Sequence, residues 1–238
     1  MAAEIRVVLF DLDDTLFAHR ASVARGIVSH LDAIGGFESA DPATVVSLWH
    51  ALEEEHYHSY LAGRLDFEGQ RRARARDFAA AHGISLEESA AGVWFDSYFE
   101  RYRDAWHLHD DALALLDALA DRRLGIITNG EPAFQQRKLD QVGIAHYFEH
   151  VVASGSLGFT KPDPRIFAHA ASLFGVPVAE CAYVGDRFAT DALGASGAGM
   201  LGIWLDRGSS ASPDELDAAR AAGVRVIHSL DEVAAALA

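Results

Sequence analysis

The sequence predicts an α/β protein: a parallel β-sheet with helices on both faces, and a small α-helical bundle inserted after the first strand. Three observations predict it. A short apolar run, Val7-Val8-Leu9-Phe10, breaks off into the acidic turn Asp11-Leu12-Asp13-Asp14-Thr15. Helical periodicity with almost no strand signal then fills the chain from about His19 to Trp106. From Asp110 onward helical and strand-like segments alternate, and such alternation means right-handed crossovers and a parallel sheet. A parallel strand is covered on both faces and need not alternate polar with apolar residues, which suits the unbroken run before Asp11.

The insert divides into four helical segments. Ala21 to Ile34 is closed by Gly35-Gly36, and Pro42 to Leu61 has Asp41 as N-cap and Gly63 as its stop. Asp66 to His82 is closed by Gly83, and in Ser85 to Arg103 the pair Ser85 and Glu88 fits a capping box. Helices of this length with short connections make a bundle. Beyond it the spacing predicts helix 111–121 before strand 124–128, helix 131–142 before strand 150–154, and helix 163–174 before strand 181–185. Helix 190–198 precedes strand 200–205, and a helix over 213–222, a strand over 224–227 and a last helix over 230–237 complete the run. Residues 1–17 and 107–238 are thus expected to form the α/β domain, and 18–106 the helical cap.

Composition narrows the function. Half of the 238 residues are hydrophobic, enough for a sizeable core and against disorder. A net charge of -15 argues against nucleic-acid or anionic-membrane partners, which need basic surface; an anionic substrate must be drawn in by a local cation. The lone Cys181 lies in a strand-like segment and reads as a small buried hydrophobe, so no disulfide framework is expected. Met1 to Arg6 lacks the apolar stretch of a signal peptide, and no window is long enough to span a bilayer. A cytoplasmic protein, monomer or dimer, is the expectation.

Four predicted strands end in polar residues whose types belong together. The first gives Asp11 and Asp13, the second Thr128-Asn129-Gly130, the third is followed by Lys161-Pro162-Asp163-Pro164, and the fourth gives Gly185-Asp186 with Asp191 beyond. Each has a plainer reading. Asn129-Gly130 is a hairpin signal, but Glu131-Pro132 after it opens a helix instead. Lys161 could be a solvated turn residue, and Asp186 only an N-cap. Together these would require unrelated turns to gather acids, a hydroxyl and a cation at one sheet edge, where open α/β sheets bind ligands. Asp11, Asp13 and Asp186 converging would repel by about 4 kcal/mol per pair at 4 Å and an effective dielectric near 20. Lys161 offsets one charge, and no other basic residue belongs to the set. Such a cluster awaits a divalent metal, and all-oxygen ligands suit Mg²⁺. Three carboxylates, one lysine and Mg²⁺ are neutral together, so a phosphate dianion can enter, helped by turn amides.

Phe10-Asp11-Leu12-Asp13-Asp14-Thr15-Leu16, Thr128-Asn129-Gly130, Lys161-Pro162-Asp163-Pro164 and Gly185-Asp186 with Asp191 resemble, in order, the four motifs of the haloacid dehalogenase-like superfamily. Further similarity runs through Gln136-Arg137-Lys138-Leu139, Val142-Gly143-Ile144, Tyr147-Phe148 and Ser154 to Ile166. The chain looks like the branch with a helical cap after the first motif, and most like its phosphatases of small metabolites. The resemblance implies a Rossmann-like core, a cap that closes over the substrate, and Mg²⁺-dependent hydrolysis of a small phosphorylated metabolite: a nucleotide, a sugar phosphate or flavin mononucleotide. It makes Asp11 the nucleophile that forms an aspartyl-phosphate and Asp13 the general acid and base. Mg²⁺ is held by the side chains of Asp11 and Asp186 and the backbone carbonyl of Asp13, with Asp191 supporting the metal from behind. Thr128, Asn129 and Gly130 bind phosphoryl oxygens, and Lys161 pairs with Asp11 and the phosphoryl group. Dehalogenases of the superfamily lack the acid two residues after the nucleophile, so Asp13 argues against that chemistry. A phosphomutase and a non-catalytic phosphate-binding module are the alternatives. A phospho-signalling receiver, whose phosphorylated Asp ends a later strand, is disfavoured by the order of motifs.

Other features read as structural. Arg71, Arg72, Arg74 and Arg76 spread around a helix as a solvated face. The pair His56 and His58 lies on a helix, where such spacing does not share a face. His107 and His109 sit where the bundle returns to the sheet and read as a hinge. His19 and Arg20 are expected at the surface. Trp49, Tyr57, Tyr60, Trp94, Phe95, Tyr98 and Phe99 are expected mainly in the bundle core.

Overall fold

A computed structural model describes residues 4–238; Met1, Ala2 and Ala3 of the opening segment expected to lack a signal stretch lie outside the described residues. Strand β1 (Val7–Phe10) leads into α1 (His19–Ile34), α2 (Pro42–Leu61), α3 (Phe67–Ala81) and α4 (Glu88–Asp104). Then come α5 (Ala112–Ala118), β2 (Arg123–Thr128), α6 (Pro132–Gln141), β3 (His150–Ala153), α7 (Pro164–Phe174) and β4 (Cys181–Gly185). The chain ends with α8 (Gly194–Gly197), β5 (Leu201–Leu205), α9 (Pro213–Ala221), β6 (Arg225–Ile227) and α10 (Val233–Ala236). It divides into two compact units, one of residues up to Ala18 with His107–Ala238, the other His19–Trp106. Among the described residues no helix is long and apolar enough to cross a membrane.

In the first unit the six strands form one parallel sheet of order β3-β2-β1-β4-β5-β6. Phe10 pairs with Ile126 on one side and Val184 on the other, so β1, β2 and β4 end beside one another. The order reverses at β1 and β4, the crevice where such sheets bind ligands. Val7, Val8, Leu9 and Phe10 are all fully buried, as a strand covered on both faces requires. α7 lays Ile166, Phe167, Ala170, Ala171 and Phe174 against Val7, Leu9, Ile127, Val152 and Tyr183, the helical spacing of one apolar face. Cys181 is free and buried in that cluster.

The helical unit is built around Trp49, which is fully buried, with the rings of Phe78, Trp94 and Tyr98 centred 5.2, 5.4 and 4.7 Å away. The arginines of α3 do not form a solvated face. Arg74 is buried, its guanidinium 3.9 Å over the Trp49 ring and its Nη1 donating to Glu53 Oε1 at 2.7 Å. Arg71 lies 4.3 Å over Phe67. Guanidinium groups stack on aromatic faces and pair with carboxylates, and here that outweighs hydration; Arg72 and Arg76 reach outward to Glu88.

That pairing overturns the expected capping box. Glu88 is taken by Arg72 and Arg76 at 2.5 and 2.8 Å and cannot reach back toward Ser85, so α4 starts at Glu88 behind a Glu87 N-cap without a side-chain bond. A reciprocal box forms at Ser212 and Glu215 instead. The expected helix 190–198 is a π-helical turn over Phe188–Leu193 followed by α8, a widening common near functional groups. The last helix is a 3₁₀ turn, Leu230–Glu232, followed by α10.

Candidate active site

The polar residues at the strand ends meet at one edge of the sheet. Asp11 extends β1 by one residue, its amide donating to Val184 O at 2.8 Å. Asp14 turns the chain through the left-handed region at φ 61°, a conformation that Asp tolerates better than most residues. Asn129, after β2, clamps the loop after β3 from both sides: its Oδ1 accepts from Lys161 N at 2.7 Å and its Nδ2 donates to Lys161 O at 3.0 Å. Both amide atoms of the Asn129 side chain are thus engaged with the backbone of Lys161 and position it.

The Lys161 ammonium is buried with its three donor positions taken: Asp11 Oδ1 at 2.6 Å, Tyr183 Oη at 2.7 Å and Asp191 Oδ1 at 2.8 Å. Tyr183 Oη in turn donates to Ile127 O at 2.9 Å, tying β4 to β2 beneath the site. The other oxygen of Asp191 accepts from Arg187 N at 3.0 Å. Gly185 allows this packing, because a Cβ there would lie 2.5 Å from the Asp191 Cβ and Cγ.

Carboxylate oxygens of Asp11, Asp186 and Asp191 lie within 4.8 Å of one another. Burial pushes the Asp11 carboxyl up despite the pull of Lys161, with Asp191 and Asp13 adding to the rise. Burial, then Asp11 and Asp191, push Asp186 well above the usual carboxylate range. Burial alone would lower the Lys161 ammonium, but Asp11 and Asp191 outweigh it and raise it. Asp186 Oδ1 is buried with no hydrogen-bond partner, while Trp204 Nε1 donates to Asp186 O at 2.9 Å and orients that residue. Crowded, desolvated acids and an orphaned carboxylate oxygen are what a small dication relieves, and the all-oxygen donor set fits Mg²⁺.

A second cation belongs to the site, contrary to the expectation of Lys161 alone. Lys138 Nζ on α6 contacts Asp13 Oδ1 at 2.5 Å. Gln135, one turn earlier, donates through Nε2 to Asp13 Oδ2 at 2.9 Å and to Thr128 Oγ1 at 2.7 Å. Lysines are rarely buried unless paired, and the partner lies 125 residues away. The available signal was helical spacing, since Gln135, Lys138 and Leu139 share the buried face of α6.

Asp11, Asn129, Lys161 and Asp191 are thus linked by hydrogen bonds, Asp13 and Thr128 are linked through Gln135, and Asp186 lies beside Asp11 and Asp191; together they form the network of the candidate site, with the Gly130 carbonyl accepting from Gly155 N at 3.0 Å. The histidine pairs have other partners. His56 Nε2 lies 2.7 Å from Asp77 Oδ2, His107 O accepts from Ala18 N, and His109 N donates to Leu16 O. His19 is half-buried and contacts Tyr102 Oη at 2.9 Å and Glu53 at 3.5 Å, so it is not the surface residue expected.

Comparison with known proteins follows the same lines. A phosphoserine phosphatase of Thermus thermophilus is 33% identical, with 88% of this chain and 94% of that protein covered. A glyceraldehyde 3-phosphate phosphatase of Methanopyrus kandleri is 32% identical over 86% of this chain and 85% of its own. Among solved structures, the magnesium-bound HAD-hydrolase YfnB of Bacillus subtilis superposes with a TM-score of 0.79 at 19% identity, covering 98% of this chain and 99% of that one; at that identity the likeness speaks for the fold. The haloacid dehalogenase-like hydrolase profile matches residues 5–199, a span that includes every member of the network above, and the chain belongs to that family.

Proposed function

We propose that this protein is a magnesium-dependent phosphatase of a small phosphorylated metabolite, working through a phosphoryl group carried on Asp11. The observation that supports it most is the Lys161 ammonium, held between Asp11 and Asp191 at 2.6 and 2.8 Å beside the partnerless oxygen of Asp186. The named relatives are phosphatases of small molecules, which favours the same reading. Bound by Asp11 and Asp186, with the Asp13 carbonyl, Mg²⁺ would neutralise charge on the carboxylates and the phosphoryl group.

Phosphoryl transfer asks chiefly for positioning and charge stabilisation. Asp11 attacks phosphorus as a carboxylate; the new bond is oxygen to phosphorus, and the bond to the ester oxygen breaks. Asp13 delivers a proton to that departing oxygen. In the second half, Asp13 takes a proton from water, the water oxygen bonds to phosphorus, and the Asp11–phosphorus bond breaks to release inorganic phosphate. Lys138 pairs with the ionised Asp13, the form that accepts the proton from water. Thr128 and the amides of Asn129 and Gly130 hold the phosphoryl oxygens, and Lys161 keeps Asp11 in place with its charge countered.

A phosphate-release screen with added magnesium, across phosphoserine, triose and sugar phosphates, nucleotides and flavin mononucleotide, tests this. Turnover of at least one ester that is lost in Asp11→Asn is the expected result. No release from any ester, or equal release by the variant, would refute it.

A further inference from the structure

The network at α6 holds a relationship that the four motifs do not contain. We propose that Gln135 is a positioning residue: through one amide nitrogen it fixes both the aim of Asp13 and the direction in which the Thr128 hydroxyl donates. This rests on the phosphatase reading above.

Nε2 of Gln135 has two hydrogens, and both are used, toward Asp13 Oδ2 at 2.9 Å and Thr128 Oγ1 at 2.7 Å. Asp13 fixes the amide's orientation. Turned over, the amide would set its oxygen against a carboxylate oxygen, an acceptor facing an acceptor. Because Nε2 faces Thr128, the hydroxyl accepts there and its own hydrogen points elsewhere, free for a phosphoryl oxygen. The cost is visible, for Gln135 Oε1 is buried with no partner. A buried acceptor without a partner is unfavourable, and here it accompanies the hold of Nε2 on Asp13 and Thr128.

Lys138 completes the clamp. Its Nζ takes the other Asp13 oxygen at 2.5 Å, between the rings of Phe17 and Phe134 at 4.9 and 4.8 Å, with only 2% of the side chain exposed. With both oxygens held, the carboxylate cannot rotate. Gly130 makes room for the glutamine: a Cβ on residue 130 would lie 2.6 Å from Gln135 Nε2 and 2.8 Å from its Cγ. The glycine after the Thr-Asn pair thus has a packing reason, independent of any contact its amide makes.

The test is kinetic, on the magnesium-loaded full chain with the best ester from the screen. Gln135→Met keeps most of the volume and removes both hydrogen bonds; kcat should fall about 10- to 100-fold with KM changed less, as for a small misplacement of catalytic groups. Gln135→Glu should be slower still, since a carboxylate repels Asp13 and draws the Thr128 hydrogen toward itself. Gly130→Ala, which crowds the glutamine, should lower kcat in the wild-type background and lower it by a smaller factor in a Gln135→Ala background, where the side chain it displaces is gone. Magnesium affinity by calorimetry should change little, because Gln135 bonds only the side chain of Asp13, whose part in the metal set is its backbone carbonyl, and has no bond to Asp11 or Asp186. Folded Gln135→Met with wild-type kcat, additive Gly130→Ala, or a parallel loss of magnesium affinity would overturn the proposal. If the position-135 variants do not fold, Gly130→Ala alone decides, and wild-type kcat there overturns it. Asp11→Asn is run alongside: if it stays active the phosphatase reading itself fails, and if it is dead while Gln135→Met turns over at the wild-type rate, only this inference fails.

Discussion

Asp11 and Lys161 are 150 residues apart in the chain and 2.6 Å apart in space, and the site's chemistry depends on that closure. Lys161 holds two buried carboxylates together, so Lys161→Met should leave them uncompensated and cost the metal-free protein about 3–5 kcal/mol. Denaturant unfolding in chelator checks this, and a loss below about 1 kcal/mol would show that the pair contributes little. Asp13→Asn keeps the shape but cannot exchange the proton, and kcat should drop about 10²- to 10⁴-fold; steady-state assays showing a threefold change would remove Asp13 from proton transfer. Asp11, Asp13, Thr128, Lys161 and Asp186 were legible because their types sit at predicted strand ends. Lys138 and Gln135 were not, because what buries them is a partner far along the chain. The hold of the Asn129 side chain on the Lys161 backbone was not legible either, since only the folded loop brings both of its amide atoms to Lys161.

Among the elements, strands and long helices followed their periodicity, while their ends answered to tertiary partners. α2 begins after Asp41 as its capping residue predicts, whereas α4 loses its box because Glu88 is drawn to two arginines of α3. The π turn at Phe188–Leu193 has no local signature; it aims Asp191 at Lys161. In the helical unit, α1 buries His30 with neither ring nitrogen hydrogen-bonded, edge-on to Trp94 at 4.3 Å. Burial, and then Arg101, lower its pKa to about 4. The fold therefore favours the neutral ring, while the unfolded chain gains a proton below its ordinary value near 6.5. The stability this contributes is present above about pH 6.5 and is lost as pH falls toward 4, by about 1–3 kcal/mol. Urea unfolding at pH 5 and 7.5 should show a loss in wild type that His30→Phe reduces; equal pH dependence in both would contradict it.

At the scale of the molecule, one feature sets the conditions for function: a net charge of -15 surrounds a site whose acids are already raised by burial and by each other. Lys138 and Lys161 leave that site short of positive charge, so a dication should both stabilise it and be required. Chelator should abolish turnover, and added magnesium should restore it and raise the thermal midpoint; saturation at about 100 times the dissociation constant corresponds to about 2.7 kcal/mol. Activity that persists in chelator would remove the metal from the account. The parallel sheet and the inserted helices were legible from periodicity alone, because burial on both faces and amphipathic spacing are written locally. The choice of phosphate ester was not, since it depends on how individual side chains pack around a ligand. The most direct measurement is mass spectrometry of the acid-quenched enzyme during turnover, with peptide mapping. A phosphoryl adduct on the peptide carrying Asp11, absent from Asp11→Asn, is the predicted result. Rapid turnover with no adduct on that peptide, undiminished in the variant, would contradict it.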